Sequence, residues 1–460
     1  MPGKIKTYDV IVIGSGSGGS IVDAALGQGL SVALIDKGPL GGTCANVGCI
    51  PSKMLTVPAD RIVEIREAGK MGIVADVRQT DFTAIMERMR RPRAHTQHQM
   101  REALRHAHDL DFYEAEGHFA DAHTLQVGKQ RIRGHQIFVV AGARPEIPPA
   151  SGLDQVDYLT NDSVFDLHEQ PSSMVIIGGG YIACELGHFF AAVGTEVTIV
   201  QRNERLVPAE EPEISQLLQQ KMSERMRILT STEVVAVQQD RRGIVVVGED
   251  RHAGAPVQIS GQRILVAAGR RSNADQLQVV NAGIETDPRG YIQVNEYLET
   301  NVPNIWAFGD ATGKHMFKHT ANREAVIAWH NSQHGHKVPM DYRAVPHAVF
   351  TYPQIASVGL TEAAARVDRD VLVGRARYDD VAYGMALVEE DGFAKAVVDA
   401  ENEEILGFHI IGPHAAILIQ EVVNAMATGS PAVELGRGLH THPALSELVL
   451  SALNNLAPPG

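Results

Sequence analysis

Apolar residues along this chain fall into short continuous runs that alternate with amphipathic helical stretches. The run at 8–13 leads into a Gly-rich turn, then a helical segment to about residue 27 and a second apolar run at 31–35. The same order of strand, Gly-rich turn, helix and strand returns over 174–200. Continuous β-branched runs are typical of parallel strands buried on both faces. The pattern therefore predicts two βαβ units in an α/β protein.

The segments between and after these units have other patterns. A charged helical stretch is predicted over 53–108, with an interruption near 69–77. Short strands are predicted at 111–117, 124–127, 130–132, 136–140, 291–295 and 304–308. From about residue 346 the alternation of polar and apolar residues changes again, and it predicts two helices and an antiparallel sheet with strands at 371–377, 392–398 and 405–411.

Composition narrows the class of protein. The chain has 460 residues, 44% of them hydrophobic, and a net charge of −14. This acidic balance disfavours nucleic acid and anionic membrane as partners. No signal peptide and no apolar run long enough to span a bilayer are visible. With three cysteines the chain is not a secreted disulfide scaffold, so a cytoplasmic location and catalytic rather than structural sulfur are expected.

The first Gly-rich turn has the spacing of a dinucleotide fingerprint. Gly14, Gly16 and Gly19 form G-x-G-x-x-G directly after a strand, and Asp36 ends the next strand. In this motif the glycines allow a tight turn, a close pyrophosphate and helix–strand packing, while the carboxylate accepts a hydrogen bond from a ribose hydroxyl. Dinucleotide binding is predicted here, and a Gly-rich turn of an unrelated α/β protein is the alternative.

The second turn differs where the nucleotide would be selected. Gly178, Gly180 and Ala183 form G-x-G-x-x-A, but the position expected to be acidic is Gln201, and it is followed by Arg202. A carboxylate at that position favours an unphosphorylated ribose, whereas an arginine can pair with a 2′-phosphate. The sequence therefore favours NADP over NAD by a small margin, with an arginine in a surface loop as the alternative.

Two of the three cysteines lie close together between glycines. Cys44 and Cys49 are five positions apart, farther in an ideal helix than a disulfide allows, so the backbone between them must be irregular, and Gly48 would permit this. Pro51 indicates that Cys49 lies at or just before a helix start, where backbone N–H groups lower the pKa of a thiol. Lys53 would share the helical face of Cys49. A redox-active disulfide is predicted; inert cysteines or half of a metal site are the alternatives, and no metal is expected because no second ligand cluster exists.

Two further places have side chains suited to a site. His442 precedes Pro443 at a predicted helix start, and Glu447 can reach back to its imidazole, which fixes the tautomer and raises the basicity of the other ring nitrogen. A strand that ends at Gly309 and Asp310 can place the carboxylate against a polyol or ribityl chain.

Together these residues resemble the FAD-dependent pyridine nucleotide–disulfide oxidoreductases, over nearly the whole chain. The resemblance is carried by residues 41–44 and 49–53, both fingerprints, the Gly309–Asp310 turn, residues 349–353 and 358–362, and the His442–Glu447 pair. It implies two Rossmann-like dinucleotide-binding domains plus an α+β dimerisation domain with an antiparallel sheet. It places an FAD-binding domain at 1–150 and 274–342, an NAD(P)-binding domain at 151–273, and a dimerisation or interface domain at 343–460.

The resemblance also implies a role for each residue of the pair and its neighbours. Cys49 would form the thiolate nearest the flavin, and Cys44 would exchange with the substrate. Lys53 would lie near the flavin, paired with Glu185, and His442, held by Glu447, would be the acid–base at the disulfide of the other subunit of a homodimer. The residues expected to hold FAD are Gly14, Gly16, Gly19, Asp36, Lys53, Gly117 and Asp310. The residues expected to hold NAD or NADP are Gly178, Gly180, Tyr181, Ala183, Glu185, Gln201, Arg202 and Gly269.

Two residues near the second fingerprint have alternative interpretations. Tyr181 resembles a gate over the nicotinamide side of the flavin in some family members, and packing within the second domain is its alternative. Cys184 matches no cysteine of the redox pair and is interpreted as a small apolar helix residue.

Within the family, residues 44–53 and 442–447 resemble dihydrolipoamide dehydrogenase, which oxidises dihydrolipoyl groups on a carrier protein and reduces NAD(P)+. Gln201 and Arg202 depart from this pattern, because the usual acidic selector for NAD is missing. Residues 380–386 and 442–445 resemble mycothione reductase, which reduces a small disulfide with NADPH. Dihydrolipoamide dehydrogenase is the first hypothesis and the reductase the second. Mercuric reductase and a soluble transhydrogenase are less expected. A non-enzymatic flavoprotein subunit is the hypothesis of another class, and the intact cysteine pair, Lys53, His442 and Glu447 argue against it.

Overall fold

The computed structural model describes residues 5–240 and 243–458. In chain order its strands are β1 (Lys6–Ile13), β2 (Val32–Ile35), β3 (Leu110–Tyr113), β4 (Gly117–Phe119), β5 (Thr124–Val127), β6 (Gln130–Val139), β7 (Ala143–Pro145), β8 (Tyr158–Leu159), β9 (Ser173–Ile177), β10 (Glu196–Val200), β11 (Arg227–Leu229), β12 (Thr232–Asp240), β13 (Gly243–Asp250), β14 (Pro256–Gly261), β15 (Arg263–Val266), β16 (Arg270–Ser272), β17 (Ile305–Ala307), β18 (Pro346–Val349), β19 (Gln354–Gly359), β20 (Val371–Arg377), β21 (Phe393–Asp399) and β22 (Ile405–Gly412).

The α-helices are α1 (Gly19–Gly27), α2 (Gly42–Asn46), α3 (Cys49–Glu67), α4 (Phe82–His106), α5 (Tyr181–Val193), α6 (Pro212–Ser223), α7 (Lys318–Gln333), α8 (Glu362–Ala365), α9 (Ala382–Ala386), α10 (Ala415–Thr428), α11 (Ala432–Leu435) and α12 (Glu447–Asn454). Short 3₁₀ helices cover Ala68–Met71, Leu153–Gln155, Val164–Asp166, Val279–Ala282, Gly309–Ala311 and Tyr378–Asp380. None of the helices within the described ranges is long and apolar enough to cross a lipid bilayer.

The chain divides into two compact units, and the first comprises Met1–Pro51, Glu87–Glu146 and Gly269–Asp341. Its main sheet has the order β3-β2-β1-β6-β5-β4, with β17 also paired to β6. Strands β3, β2, β1, β6 and β17 are parallel, and β4 and β5 add antiparallel edges. Because the parallel strands end at the same edge, the loops after β1, β2 and β6 lie side by side there.

The second unit comprises Ser52–Met86, Ile147–Ala268 and Tyr342–Gly460. It contains a parallel sheet with the order β11-β10-β9-β15-β8, an antiparallel sheet β12-β13-β14, and a five-stranded antiparallel sheet β18-β19-β22-β21-β20. Helices α10 and α12 pack on the last sheet and cover a core that includes Phe408, Ile410 and Leu448.

The predicted fold class is confirmed: two parallel sheets with fingerprint loops and an antiparallel sheet towards the end of the chain are all present. The two predicted βαβ units are β1-α1-β2 and β9-α5-β10. The domain boundaries inferred from the resemblance stay a prediction.

Several local predictions were wrong. The single strand predicted at 111–117 is divided between β3 and β4. The strands predicted at 130–132 and 136–140 are one strand, β6, because Gly134 pairs with Tyr8 inside it, and a Cβ atom on Gly134 would lie 2.9 Å from Ile11 of β1. Residues 291–295 make a single bridge, Thr286 to Ile292, and no strand. The last helix starts at Glu447, so His442 lies in the bend before it rather than at its start.

Candidate active site

The loop after β1 has the backbone geometry of a dinucleotide turn. Gly14 has φ +104°, and a Cβ atom there would overlap the carbonyl oxygen of Val140, so only glycine fits. The N–H of Gly14 donates to the carbonyl oxygen of Ile35 at 2.8 Å. The Asp36 carboxylate accepts from the N–H of Ser15 at 2.6 Å and from the N–H of Gly38 at 2.7 Å. Asp36 is therefore fixed beside the loop, with lone pairs left to accept a ribose hydroxyl.

Gly16 and Gly19, also predicted for FAD, lie next to open space. A Cβ atom on Gly19 would meet nothing within 4 Å, and one on Gly16 would approach only Gly42, at 3.9 Å, so the loop backbone has room for a phosphate. Gly117 begins β4 beside the end of β2, where a Cβ atom would lie 3.1 Å from Ile35. The predicted roles of these glycines in FAD binding stay predictions.

Asp310 lies in the 3₁₀ turn after β17, 3.5 Å from the Nε of Arg270. Burial raises the pKa of Asp310, and the nearby Arg270 guanidinium opposes this effect. Within the described residues, the buried Nε of Arg270 has no hydrogen-bond partner. A half-buried carboxylate beside an unsatisfied donor fits a polyhydroxyl ligand such as a ribityl chain, which both donates and accepts hydrogen bonds.

The loop after β9 repeats the turn in the second unit. Gly178 has φ +118°, and a Cβ atom would overlap the carbonyl oxygen of Ala267. Gly180 precedes α5 and has open space around it, and Ala183 is buried on that helix. Gln201 follows β10 and is buried, with its side chain against Gly179 and its Nε2 donating to the carbonyl oxygen of Arg205 at 3.3 Å.

Arginines lie just beyond Gln201. A surface pocket in this region is lined by Asn203, Glu204, Arg205, Pro208 and Arg251. Nη1 of Arg251 donates to the carbonyl oxygen of Arg202 at 3.2 Å, which brings the turn after β13 to the end of β10. The lining residues include two guanidinium groups and one glutamate, and Arg251 also forms an ion pair with Glu233 at 3.8 Å. Arg205 and Arg251 were missed by the sequence analysis, and Arg251 lies 49 residues beyond Arg202, so no local signal connects them.

The cysteine pair lies on two consecutive helices. Cys44 is on α2 and is half-buried, whereas Cys49 is exposed and is the first residue of α3. The predicted irregular backbone is present, but it occurs mainly at Val47, with φ −141° and ψ 26°. Gly48 is needed for close approach, because its Cβ atom would lie 3.0 Å from the carbonyl oxygen of Thr43. The predicted helix start at Cys49, with Pro51 in the first turn, is confirmed.

Lys53 and Glu185 form the predicted ion pair. The Lys53 Nζ lies 2.8 Å and 2.7 Å from the two oxygens of Glu185, whose side chain is only 4% exposed. Phe350, which was not predicted to take part, places its ring 4.4 Å from the same Nζ and donates its backbone N–H to Glu185 at 3.0 Å. The pair holds the α3 helix, one turn after Cys49, against α5. Its role towards the flavin stays a prediction.

A second lysine, Lys318, was not predicted to take part in the site. Lys318 is the first residue of α7 and is half-buried, and its Nζ donates to the hydroxyl of Ser17 at 3.1 Å. Burial lowers the pKa of Lys318, and the charges of Cys44 and Cys49 oppose this. The two cysteines are hundreds of residues away in sequence, so only the fold brings them to Lys318.

His442 and Glu447 form the predicted dyad. Nδ1 of His442 lies 2.8 Å from Oε1 of Glu447, and the other carboxylate oxygen accepts the N–H of Ala444 at 3.0 Å. The Ala444 N–H, followed by His442, holds the pKa of Glu447 below its usual range. The imidazole is mostly exposed, with its Nε2 facing outward from the dyad. Such a geometry leaves one ring nitrogen for proton transfer.

The remaining predicted residues have simpler surroundings. Cys184 is fully buried on α5, as predicted, and burial raises the pKa of its thiol far above the usual value. Tyr181 is the first residue of α5 and is partly exposed; its gate role stays a prediction. Gly269, predicted for the nicotinamide nucleotide, lies in the first unit, where its carbonyl accepts the N–H of Glu146. Among the described residues no cluster of three or more His, Cys, Asp or Glu side chains could hold a metal ion.

Two fingerprint loops, a cysteine pair at a helix start and a His–Glu dyad are the features expected of an oxidoreductase that binds two dinucleotides and exchanges thiols with disulfides. The family model described as pyridine nucleotide-disulphide oxidoreductase matches residues 8–325, and the model of the dimerisation domain of that family matches residues 345–453. The chain belongs to the class I pyridine nucleotide-disulfide oxidoreductases. Enzymes of this family contain FAD and use NAD(P)H as the pyridine nucleotide.

Relatives with several substrates match almost the whole chain. It is 36% identical to mycothione reductase of Mycobacterium tuberculosis, covering 98% of this chain and 100% of the relative. It is 33% identical to mercuric reductase of Staphylococcus aureus, with coverage of 97% and 82%. It is 31% identical to dihydrolipoyl dehydrogenase of Chlamydia trachomatis, with coverage of 96% and 95%.

A solved structure has the same fold. The HOCl-induced flavoprotein disulfide reductase RclA from Escherichia coli superposes with a TM-score of 0.85 at 27% identity, covering 97% of this chain and 99% of that chain. The family is therefore established, and the chain is an oxidoreductase, but relatives of such different substrates leave the substrate to be inferred from the site.

Proposed function

We propose that this protein is an NADPH-dependent reductase of a low-molecular-weight disulfide, acting through Cys44 and Cys49. The observation that carries the proposal is the end of β10, where Gln201 takes the place of an acidic selector beside a pocket lined by Arg205 and Arg251. A buried amide does not repel a 2′-phosphate, and guanidinium groups pair well with phosphate. NADPH as the nucleotide fits a reaction in which electrons flow towards the disulfide.

The chemistry of the cysteine pair follows from its place at a helix start. FAD, when bound, would pass two electrons between the nicotinamide and the pair. In the reduced state, the Cys44 thiolate attacks one sulfur of the substrate, its S–S bond breaks and the first thiol leaves. Cys49 then attacks the Cys44 sulfur, which releases the second thiol and restores the Cys44–Cys49 disulfide. The helix N-terminus at Cys49 favours the thiolate that this exchange requires.

Each departing thiolate needs a proton, and His442 is the proposed donor. Glu447 fixes one ring nitrogen and stabilises the protonated imidazole, so the exposed nitrogen can give its proton to sulfur. We propose that it acts across a homodimer, on the cysteine pair of the other subunit. Support comes from the match to the dimerisation domain and from exposed apolar side chains within it, namely Tyr383, Met385, Ile417, Val433 and Leu439.

Dihydrolipoyl dehydrogenase activity, with NAD or NADP as acceptor, is the second candidate function. It is favoured by residues 44–53 and 442–447, which resemble that enzyme, and by relatives of that name at 31% identity. The same thiol exchange would run in reverse, with His442 accepting the proton of a dihydrolipoyl thiol. The lipoyl carrier and a cytoplasmic location stay predictions.

Steady-state rates separate the candidates. Purified holoenzyme would be assayed with NADPH or NADH and mixed low-molecular-weight disulfides, including the mycothiol and glutathione disulfides, and with dihydrolipoamide plus NAD+ or NADP+. We expect turnover with at least one small disulfide, and faster turnover with NADPH than with NADH. Turnover of dihydrolipoamide with NAD+ and none of any disulfide with NADPH would replace the first proposal by the second.

The cysteine assignment has its own test. Cys44→Ser should abolish disulfide turnover and keep the long-wavelength absorbance of a thiolate next to the flavin, whereas Cys49→Ser should lose that absorbance. The reverse result would exchange the roles of the two cysteines. His442→Ala should slow thiol–disulfide exchange more than flavin reduction by NADPH, and equal slowing of both half-reactions would contradict its role in proton transfer.

A further inference from the structure

Lys318 is held in place by the fingerprint loop of the first unit. The hydroxyl of Ser17 accepts a hydrogen bond from the Lys318 Nζ at 3.1 Å and donates to Oδ1 of Asn322 at 2.9 Å. Asn322 lies one turn after Lys318 on α7, so the lysine, the serine and the asparagine form a closed set of contacts. Ser17 is buried, which limits the positions that its two partners can take.

The same loop also holds the start of the helix that carries Cys44. The hydroxyl of Ser15 accepts the N–H of Gly41 at 2.9 Å. A Cβ atom on Gly42 would lie 2.9 Å from Cα of Gly16, so the two backbones are in direct contact. One loop thus contacts Lys318 through Ser17 and the start of α2, the helix of Cys44, through Ser15 and Gly16.

The surroundings of Lys318 leave its charge available. Lys53 is bound by both oxygens of the buried Glu185 carboxylate, so its charge is largely balanced. Lys318 instead donates to a neutral hydroxyl, and within the described ranges no carboxylate forms an ion pair with it. Burial lowers the pKa of Lys318, and the thiol groups of Cys44, on α2, and Cys49, on α3, act in the opposite direction.

We propose that the Lys318 ammonium group stabilises the thiolate that forms when the Cys44–Cys49 disulfide is reduced, together with the N-terminus of α3. Lys318 is thus a positioning residue: its positive charge acts on the two sulfur atoms and does not contact the substrate. The inference rests on the proposed function, because it requires that the pair cycles between disulfide and thiolate. An ammonium group next to a thiolate lowers the pKa of the thiol, and removal of the ammonium raises it.

The test is the pH dependence of alkylation. Reduced holoenzyme, freed of excess dithiothreitol, would be treated anaerobically with iodoacetamide between about pH 4.5 and 9.5, a range that brackets perturbed and ordinary thiols. Labelling rates at Cys44 and Cys49 would be followed by peptide mass spectrometry. For the faster-reacting cysteine, Lys318→Met should raise the midpoint of the curve of labelling rate against pH by about one pH unit. Below the midpoints of wild type and variant, labelling of the variant should then be about tenfold slower. Lys318→Gln, which can still donate to Ser17, should do the same.

Three comparisons separate charge from structure. Lys318→Arg should keep the midpoint of the wild type, and so should Lys129→Met, which removes a charge from an exposed turn between β5 and β6. The difference between Lys318→Gln and wild type should shrink as salt rises, since screening weakens charge interactions. If Lys318→Met and Lys318→Gln both had the same midpoint as Lys129→Met, the inference would be wrong.

The outcome also distinguishes this inference from the proposed function. If the wild-type cysteines both titrate in the ordinary thiol range near pH 8.5, the pair is not activated and the proposed function fails with it. If the wild-type midpoint is low and the Lys318 variants leave it unchanged, only the role of Lys318 is refuted.

Discussion

The loop after β1 and the loop after β9 have nearly the same backbone and different surroundings. In each, the first glycine has a positive φ and donates its N–H to the end of the next strand, Gly14 to Ile35 and Gly178 to Val200. In each, a Cβ atom on this glycine would overlap the carbonyl oxygen of the residue that follows a neighbouring strand. This residue is Val140 after β6 in the first loop and Ala267 after β15 in the second. A turn able to receive a dinucleotide is thus built twice from glycine and hydrogen bonds.

The difference begins one residue after the second strand. Asp36 is tied to its loop through the N–H of Ser15, and the corresponding Gln201 instead packs on Gly179 and donates to Arg205. The first arrangement offers a carboxylate to ribose hydroxyls, and the second offers neutral and cationic groups. We therefore propose that the backbone provides the binding turn, while one side chain and its neighbours select the nucleotide.

The largest effects are expected from the first glycine of each loop. Each of the substitutions Gly14→Ala and Gly178→Ala should cost about 2–6 kcal/mol, which is the sum of backbone strain and overpacking. Gly14→Ala should purify with little FAD, whereas Gly178→Ala should keep FAD and lose most NADPH turnover, as measured by flavin absorbance and steady-state rates. Gly27→Ala is the matched control, because Gly27 is exposed at the end of α1 and a Cβ atom there would meet nothing within 4 Å. A normal flavin content in Gly14→Ala would contradict the proposed role of the first loop in FAD binding.

A change of nucleotide selector should have the next largest effect. Gln201→Glu places a carboxylate where the first unit has Asp36, and the ratio of kcat/KM for NADPH to that for NADH should fall about 100-fold, or ~2.7 kcal/mol. Gln216→Glu makes the same charge change on the exposed surface of α6 and should leave the ratio unchanged. If Gln201→Glu left the ratio unchanged as well, this position would not select the nucleotide.

A smaller effect is expected from the arginine pocket. Arg251→Met should raise KM for NADPH about fivefold, or ~1 kcal/mol for an exposed charge pair, and leave kcat and the NADH reaction unchanged. Steady-state kinetics with both nucleotides measure this. Arg263→Met, which removes an exposed arginine paired with Asp157 in the same unit, serves as the control. Equal losses with NADPH and NADH would point to a structural effect instead.

The smallest effect concerns the strand that leads into the first loop. The Asp9 carboxylate accepts from the hydroxyl and the N–H of Ser31, and the hydroxyl, followed by the N–H, holds the pKa of Asp9 below its usual range. Its stabilisation is therefore present above the unfolded pKa near 3.9 and is lost as pH falls through the lower folded value. Asp9→Asn should cost about 1 kcal/mol in urea unfolding at neutral pH, with a shrinking difference in acid.

Ser173 occupies the matching position before the second loop, five residues ahead of Gly178, and accepts the N–H of Gln262. Ser173→Ala should therefore have an effect that does not change with pH. A loss that is independent of pH in Asp9→Asn would contradict the proposed role of its charge.

The fold and much of the candidate site could be predicted because their signals are local. Both fingerprints, the helix start at Cys49 and the His442–Glu447 contact each lie within a few residues of sequence. Lys318 and Arg251 could not be predicted in this way, since the fold brings each to its site from a distant element. The continuous strand through Gly134 was missed for a related reason: its pairing with β1 outweighs the local tendency of glycine to break strands.

The central claim is that NADPH reduces the Cys44–Cys49 disulfide. The most direct test is mass spectrometry of cysteine labelling after one equivalent of NADPH has been added. Oxidised holoenzyme would receive one equivalent of NADPH without oxygen and then iodoacetamide, in parallel with an untreated sample. The account predicts that Cys44 and Cys49 become labelled only after NADPH, while the buried Cys184 stays unlabelled in both samples. Identical labelling of Cys44 and Cys49 with and without NADPH would contradict it.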